Sequence, residues 1–174
     1  MGNVAGVRSA AVAANPPPDL KLTPINGPSR TVAELLTTFH LCFVALDPFT
    51  NESAWILPTA ARILTTFEEA DVRIAWLVAG TARECRMFLG PWAREILTFT
   101  DPDRQAIKAF GLQRLPAIVH LGMDGTIENA AEGWHPLEWR QVTEHLAEIT
   151  SWKGPSFPLP TDPGPYEGSP ALEL

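Results

Sequence analysis

The sequence is poor in cysteine, in tyrosine and in basic charge. Its 174 residues hold 2 cysteines and 1 tyrosine, and 13 lysines and arginines stand against 20 aspartates and glutamates, for a net charge of −7. Two thiols, Cys42 and Cys85, are too few for a disulfide-built scaffold or a four-thiolate zinc site. The acidic surplus excludes the basic face that nucleic acid or an anionic membrane requires, so no nucleic acid is expected as a partner. No apolar run reaches the ~18 residues of a membrane-crossing helix, and no membrane insertion is expected. His40, His120, His135 and His145 lack metal-ligand spacing, and no glycine loop suits a phosphate. No metal and no cofactor is expected.

What is plentiful is apolar residue, 45% of the chain, and proline, 17 residues. The apolar share is enough for a packed core. The prolines gather at the ends. Residues 1–18 are small and then close on Pro16-Pro17-Pro18, which reads as a flexible arm and not as a secretory leader. A cytoplasmic protein with both thiols reduced is therefore expected. Residues 151–174 carry Pro155, Pro158, Pro160, Pro163, Pro165 and Pro170, a spacing that forbids helix and favours an extended tail. Trp152, Phe157, Leu159 and Tyr166 give this tail apolar anchors. A free linker, a wrap over the domain and a segment offered to a partner are all open.

Residues 19–150 read as one α/β domain. Leu41 to Leu46 is a continuous apolar run that suits a strand buried on both faces. Helical spacing over 51–69, a strand over Val72–Val78 and a helix from Thr81 to Phe88 follow, with Glu84 completing a capping box. A short strand at Ile96–Phe99 precedes a helix capped by Asp101 and closed near Phe110 and Gly111. Strands at Ala117–Leu121 and Thr126–Ala130 and a helix over Pro136–Ile149 complete the order, the last with Trp139, Val142, Leu146 and Ile149 inward. Leu20-Lys21-Leu22 and Arg30-Thr31-Val32 around Asn26-Gly27 predict an opening hairpin. The alternation predicts a mixed central sheet flanked by helices.

This order resembles the thioredoxin-like superfamily in its redoxin and peroxiredoxin-related branch. The likeness rests on Arg114-Leu115-Pro116-Ala117-Ile118-Val119, on the opening segment from Pro18 to Leu35, and on Gly125 and Gly133. It implies that Pro116 is cis and faces the active site. It also implies that Pro58 is the helix proline that follows the second thiol by five residues, which sets Thr50-Asn51-Glu52-Ser53 at the Cys-x-x-Cys positions. No thiol stands there. Thiol exchange and peroxide reduction need a thiolate, so a redox-inactive protein that acts by binding another protein is expected. Asp47-Pro48, Arg114-Leu115-Pro116-Ala117 and Gly133-Trp134-His135-Pro136 are further similar to the hydrogenase-1 expression-type maturation chaperones. That resemblance implies a partner, the small-subunit precursor of a nickel–iron hydrogenase.

The candidate surface for such a partner is the Thr50–Ser53 loop, Pro116 and Leu115, with Trp55, Trp134, His135, Trp139, Trp152, Phe157 and Tyr166 as aromatic and polar contacts. The alternative is a thiol oxidoreductase or peroxidase whose nucleophile is Cys85, between Glu84 and Arg86. A Ser53 nucleophile would need a base, for which His120 is the candidate by topology.

Overall fold

The computed structural model describes residues 13–172. Residues 1–12 of the expected flexible arm lie outside the described residues. The elements run β1 (Lys21–Pro24), β2 (Arg30–Thr31), α1 (Val32–Leu35), β3 (His40–Leu46), α2 (Asn51–Thr65), β4 (Val72–Val78), α3 (Ala82–Leu89), α4 (Trp92–Glu95) and β5 (Leu97–Thr100). They continue with α5 (Gln105–Ala109), β6 (Arg114–Leu115), β7 (Ala117–Leu121), β8 (Ile127–Glu132), α6 (Pro136–Ile149) and β9 (Ser169–Pro170).

Seven strands form one mixed sheet in the order β2-β1-β5-β4-β3-β7-β8. The middle is parallel, β5 with β4 and β4 with β3, and the flanks run antiparallel. β3 is central, and every residue from Leu41 to Leu46 is buried, because helices cover both of its faces. Cys42, Val44 and Leu46 face a core built with α2, α3 and α6, around Trp76, Trp134 and Trp139. Leu41, Phe43 and Ala45 face the second core, with α1, α5 and Phe110. This is an α/β fold with helices on both sides of the sheet.

Three expectations shift in detail. α2 stops at Thr65, short of residue 69; the Thr65 and Thr66 hydroxyls donate back to the carbonyls of Ala61 and Arg62. α5 begins only at Gln105, because Arg104 holds a left-handed φ of 59°. Asp101 still caps it from a distance, its carboxylate accepting from Ala106 N at 3.1 Å and Ile107 N at 2.9 Å. On α6, Ile149 is exposed and Thr143 and Ala147 are buried instead. The helical period carries the last apolar position off the stripe.

Both proline-rich ends touch the domain. Ala14 N donates to Phe110 O at 2.9 Å and Asn15 Oδ1 accepts from Ile127 N at 2.8 Å, so the described end of the arm is tied down. Beyond α6 the tail turns back along α2. Trp152 Nε1 donates to Thr66 O, Phe157 enters the core, and Trp134 Nε1 donates to Pro163 O. Asp162 accepts from both Arg62 Nη atoms at 2.9 and 2.8 Å and from Thr59 Oγ1 at 2.7 Å.

The hydrogen bonds from Arg62 hold the Asp162 carboxyl down at about 2, from an ordinary 3.8. A lowered carboxyl stabilises the fold above its unfolded value and ceases to as pH falls through its folded value. Wild type is therefore expected to exceed Asp162→Asn by about 1 kcal/mol near neutral pH, since Arg62 is partly solvated. Urea titrations should show that margin fading as pH falls from about 4 to about 2.

Candidate functional site

The site forms where β3 ends and α2 begins. Asp47 is buried, and its Oδ1 accepts from Phe49 N at 2.9 Å, which folds the turn. Thr50 is the helix N-cap, its Oγ1 accepting from Ser53 N at 3.4 Å. Ser53 is fully buried, and its Oγ accepts from Asp47 N at 2.9 Å. Both hydroxyls at the expected thiol positions are thus bound to the backbone of their own turn. Asn51 and Glu52 occupy the first helical turn between them.

His120 does not serve Ser53 as a base. His120 stands opposite Cys42, four residues back along β3 from Leu46, roughly 13 Å at the ordinary rise of a strand. Its Nε2 is 2.8 Å from His40 Nδ1, and its ring lies 5.7 Å from that of His145. Burial pushes it down to about 3, so it is a neutral core histidine. Among the described residues, no group of three or more His, Cys, Asp or Glu can hold a metal ion.

Sequence reasoning missed Arg104. Its Nη2 lies 2.9 Å from Asp47 Oδ2, with side-chain exposures of 5% and 3%, and its Nη1 donates to Ala171 O at 2.6 Å. A charged residue in Asp-Pro-Asp-Arg reads as solvated loop. Only the fold shows that the left-handed backbone at Arg104 turns the guanidinium inward.

The Leu115–Pro116 peptide is cis, as the resemblance implies. The edge beside it is already paired. Leu115 matches Ser169 and Arg114 matches Pro170, antiparallel, and Ala171 N donates to Gln113 O at 2.9 Å. Trp134 N donates to Tyr166 O at 2.7 Å, and Tyr166 N to Trp134 O at 2.9 Å. The Tyr166 hydroxyl donates to the carbonyl of Glu52, and its ring meets Trp55 edge-on at 5.5 Å. The chain's single tyrosine thus ties the tail to the start of α2.

The expected aromatic surface is corrected in part. Leu115, Trp134 and Trp139 are fully buried and Phe157 nearly so; Trp134 and Trp139 stack edge-to-face at 5.0 Å inside the core. They fill volume between α6, the tail and the sheet. Trp55 is 56% exposed, and Phe49, which sequence reasoning left out, is 64% exposed. Trp152 is exposed, and His135 is half-buried 3.3 Å from Glu167. Both cysteines are buried. Burial raises the Cys42 thiol to about 12 and the Cys85 thiol to about 11. Cys85 therefore lacks the accessible thiolate that the peroxidase alternative needs.

No protein-family model matches the chain, and no curated protein matches it. Solved structures do. A hypothetical protein of Sinorhizobium meliloti aligns at 11% identity with a TM-score of 0.66, over 93% of this chain and 94% of that one. A secreted disulfide oxidoreductase of Mycobacterium tuberculosis aligns at 13% identity and TM-score 0.58, over 75% of this chain and 96% of that one. The exposed lipoprotein thioredoxin of Streptococcus pneumoniae aligns at 13% identity and TM-score 0.58, over 73% and 98%. The expectation of a cytoplasmic protein is corrected here, because structures that share this fold include a secreted and a surface-exposed protein. No helix among the described residues is long and apolar enough to cross a membrane. The chain has the thioredoxin-like fold, without a cysteine pair at the start of the helix that follows its central strand.

Two outcomes follow from the buried groups. Arg104→Met leaves the Asp47 carboxylate buried and unpaired, and chemical denaturation should show a loss of about 3–5 kcal/mol. A thiol reagent should label neither cysteine in the native protein and both after unfolding in guanidinium, because both thiols are buried and raised.

Proposed function

We propose that this chain is a redox-inactive thioredoxin-like protein that works by binding another protein, as a chaperone, assembly factor or accessory subunit. One observation carries the reading. Where a thiol pair would act, Thr50 and Ser53 present hydroxyls already bound to the backbone, and both cysteines are buried elsewhere. A hydroxyl there cannot cycle through a disulfide.

Two large aromatics are exposed at this helix start, beside Asn51 and Glu52. Phe49 and Trp55 stand exposed on either side of the Thr50–Ser53 turn, and large exposed aromatics anchor protein interfaces. Trp152 adds a further exposed ring on the tail. The likeness to hydrogenase maturation chaperones at Asp47-Pro48, Arg114–Ala117 and Gly133–Pro136 supplies the partner class, a metalloenzyme subunit precursor.

Capture from native extract tests this, with wild type beside the Phe49→Ser/Trp55→Ser variant. Wild type should retain one dominant protein, and the variant about tenfold less of it, the scale of a lost hot spot. Disulfide reduction or peroxide consumption by the reduced wild-type protein would overturn the reading.

A further inference from the structure

A strand edge takes a strand, and the edge at Arg114–Leu115 beside Pro116 takes the chain's own β9. Pairing through the main chain does not select side chains; space does. Gly168 is a tight point: a Cβ there would lie 2.5 Å from Leu115 O, and its φ is +87°. Gly133 faces it from the body, where a Cβ would lie 2.5 Å from Glu167 O at a φ of +72°. The crossing of tail and body at this point therefore needs glycine on both segments.

The neighbouring positions are also defined. Ser169 and Ala171 are buried, whereas Pro170 between them is exposed. The carbonyl of residue 171 receives the Arg104 guanidinium, and the hydroxyl of residue 166 reaches Glu52 O. The six residues from Tyr166 to Ala171 lie past the Asp162 clamp, which holds the tail on α2 through Thr59 and Arg62. Their ties to the body are separate from that clamp and from the seat of Phe157.

We infer that Tyr166–Ala171 is a ligand held in cis, and that the partner is an extended peptide strand of the same pattern, which displaces it. That strand carries an aromatic hydroxyl, glycine two residues on, and small residues three and five positions after the aromatic. Its main chain pairs with Arg114–Leu115 and Trp134, and its last carbonyl replaces that of Ala171 on Arg104. This rests on the protein-binding reading of the site and adds the partner's chemistry and the strap that guards the groove.

The test uses the full chain and a fluorescent peptide of residues 164–172. Gly168→Val makes the tail clash with Leu115, and Tyr166→Ala removes one side chain and no backbone, so it serves if the first variant does not fold. In both, the amides of Trp134 and Ala171 should lose hydrogen-exchange protection. Peptide affinity should rise about tenfold over wild type once the tethered competitor is weakened. Bound peptide should restore protection to Trp134 and leave the displaced Ala171 amide exchanging, and a peptide carrying Gly168→Val should not bind. Freed amides without a gain in peptide affinity would overturn the inference, as would amides that stay protected in both variants. Partner capture through Phe49 and Trp55 with no such gain would sink this inference and leave the binding reading standing. A gain in peptide affinity without any partner capture would do the reverse.

Discussion

The buried ion pair of Asp47 and Arg104 is where three parts of the chain meet. Asp47 ends the central strand, Arg104 opens α5 on the other face of the sheet, and Ala171 belongs to the tail. A pair at this depth adds little net energy, since desolvation offsets attraction. Its effect is positional. With one guanidinium nitrogen on the carboxylate and another on the carbonyl, the tail has one register in which Ala171 meets Arg104. That register sets Ser169 opposite Leu115 and Tyr166 opposite Trp134. The left-handed backbone at Arg104 is tolerated because these contacts and the Asp101 cap fix the loop from both sides.

The helix start shows how the same local geometry can lose a chemistry and keep a shape. A helix N-terminus with a thiolate is a reactive site, because the dipole stabilises the anion. Here Thr50 caps that terminus with a neutral oxygen, and the Ser53 hydroxyl satisfies Asp47 N in the interior. Neither hydroxyl gains or loses charge in the ordinary pH range. Phe49 and Trp55 reach solvent there beside Asn51 and Ala54.

Much of the fold was legible in the residues. The run Leu41–Leu46 announced a central strand, the Thr81/Glu84 capping box placed α3, and the family resemblance at Pro116 implied the cis turn. The parts that were not legible depend on long-range contact. For Trp134 and Trp139, at a polar helix start, core packing and a binding patch were both open. Trp139 is core on the inward face of α6, and Trp134 is core with the tail against it, Phe157 lying 6.0 Å away ring to ring. Arg104 looked solvated because nothing local reveals a carboxylate 57 residues away. The tail's own course was open for the same reason, since proline spacing fixes extension and not destination.

The tail's seat also explains its composition. A two-residue strand pair is marginal in water on its own. Here Phe157 and Asp162 anchor the segment upstream, so the pairing is intramolecular and gains from high effective concentration. Pro163 and Pro165, between that clamp and Tyr166, fix their own φ and lower the entropy lost on docking. Pro170 has no N–H to give a further strand, which blunts the new outer edge. The main-chain ties can be matched by another strand's main chain and the Tyr166 hydroxyl by another aromatic hydroxyl, whereas the Asp162 clamp uses side chains that an incoming peptide does not need. The tail thus divides at Asp162 into a part that belongs to the fold and a part that belongs to the groove.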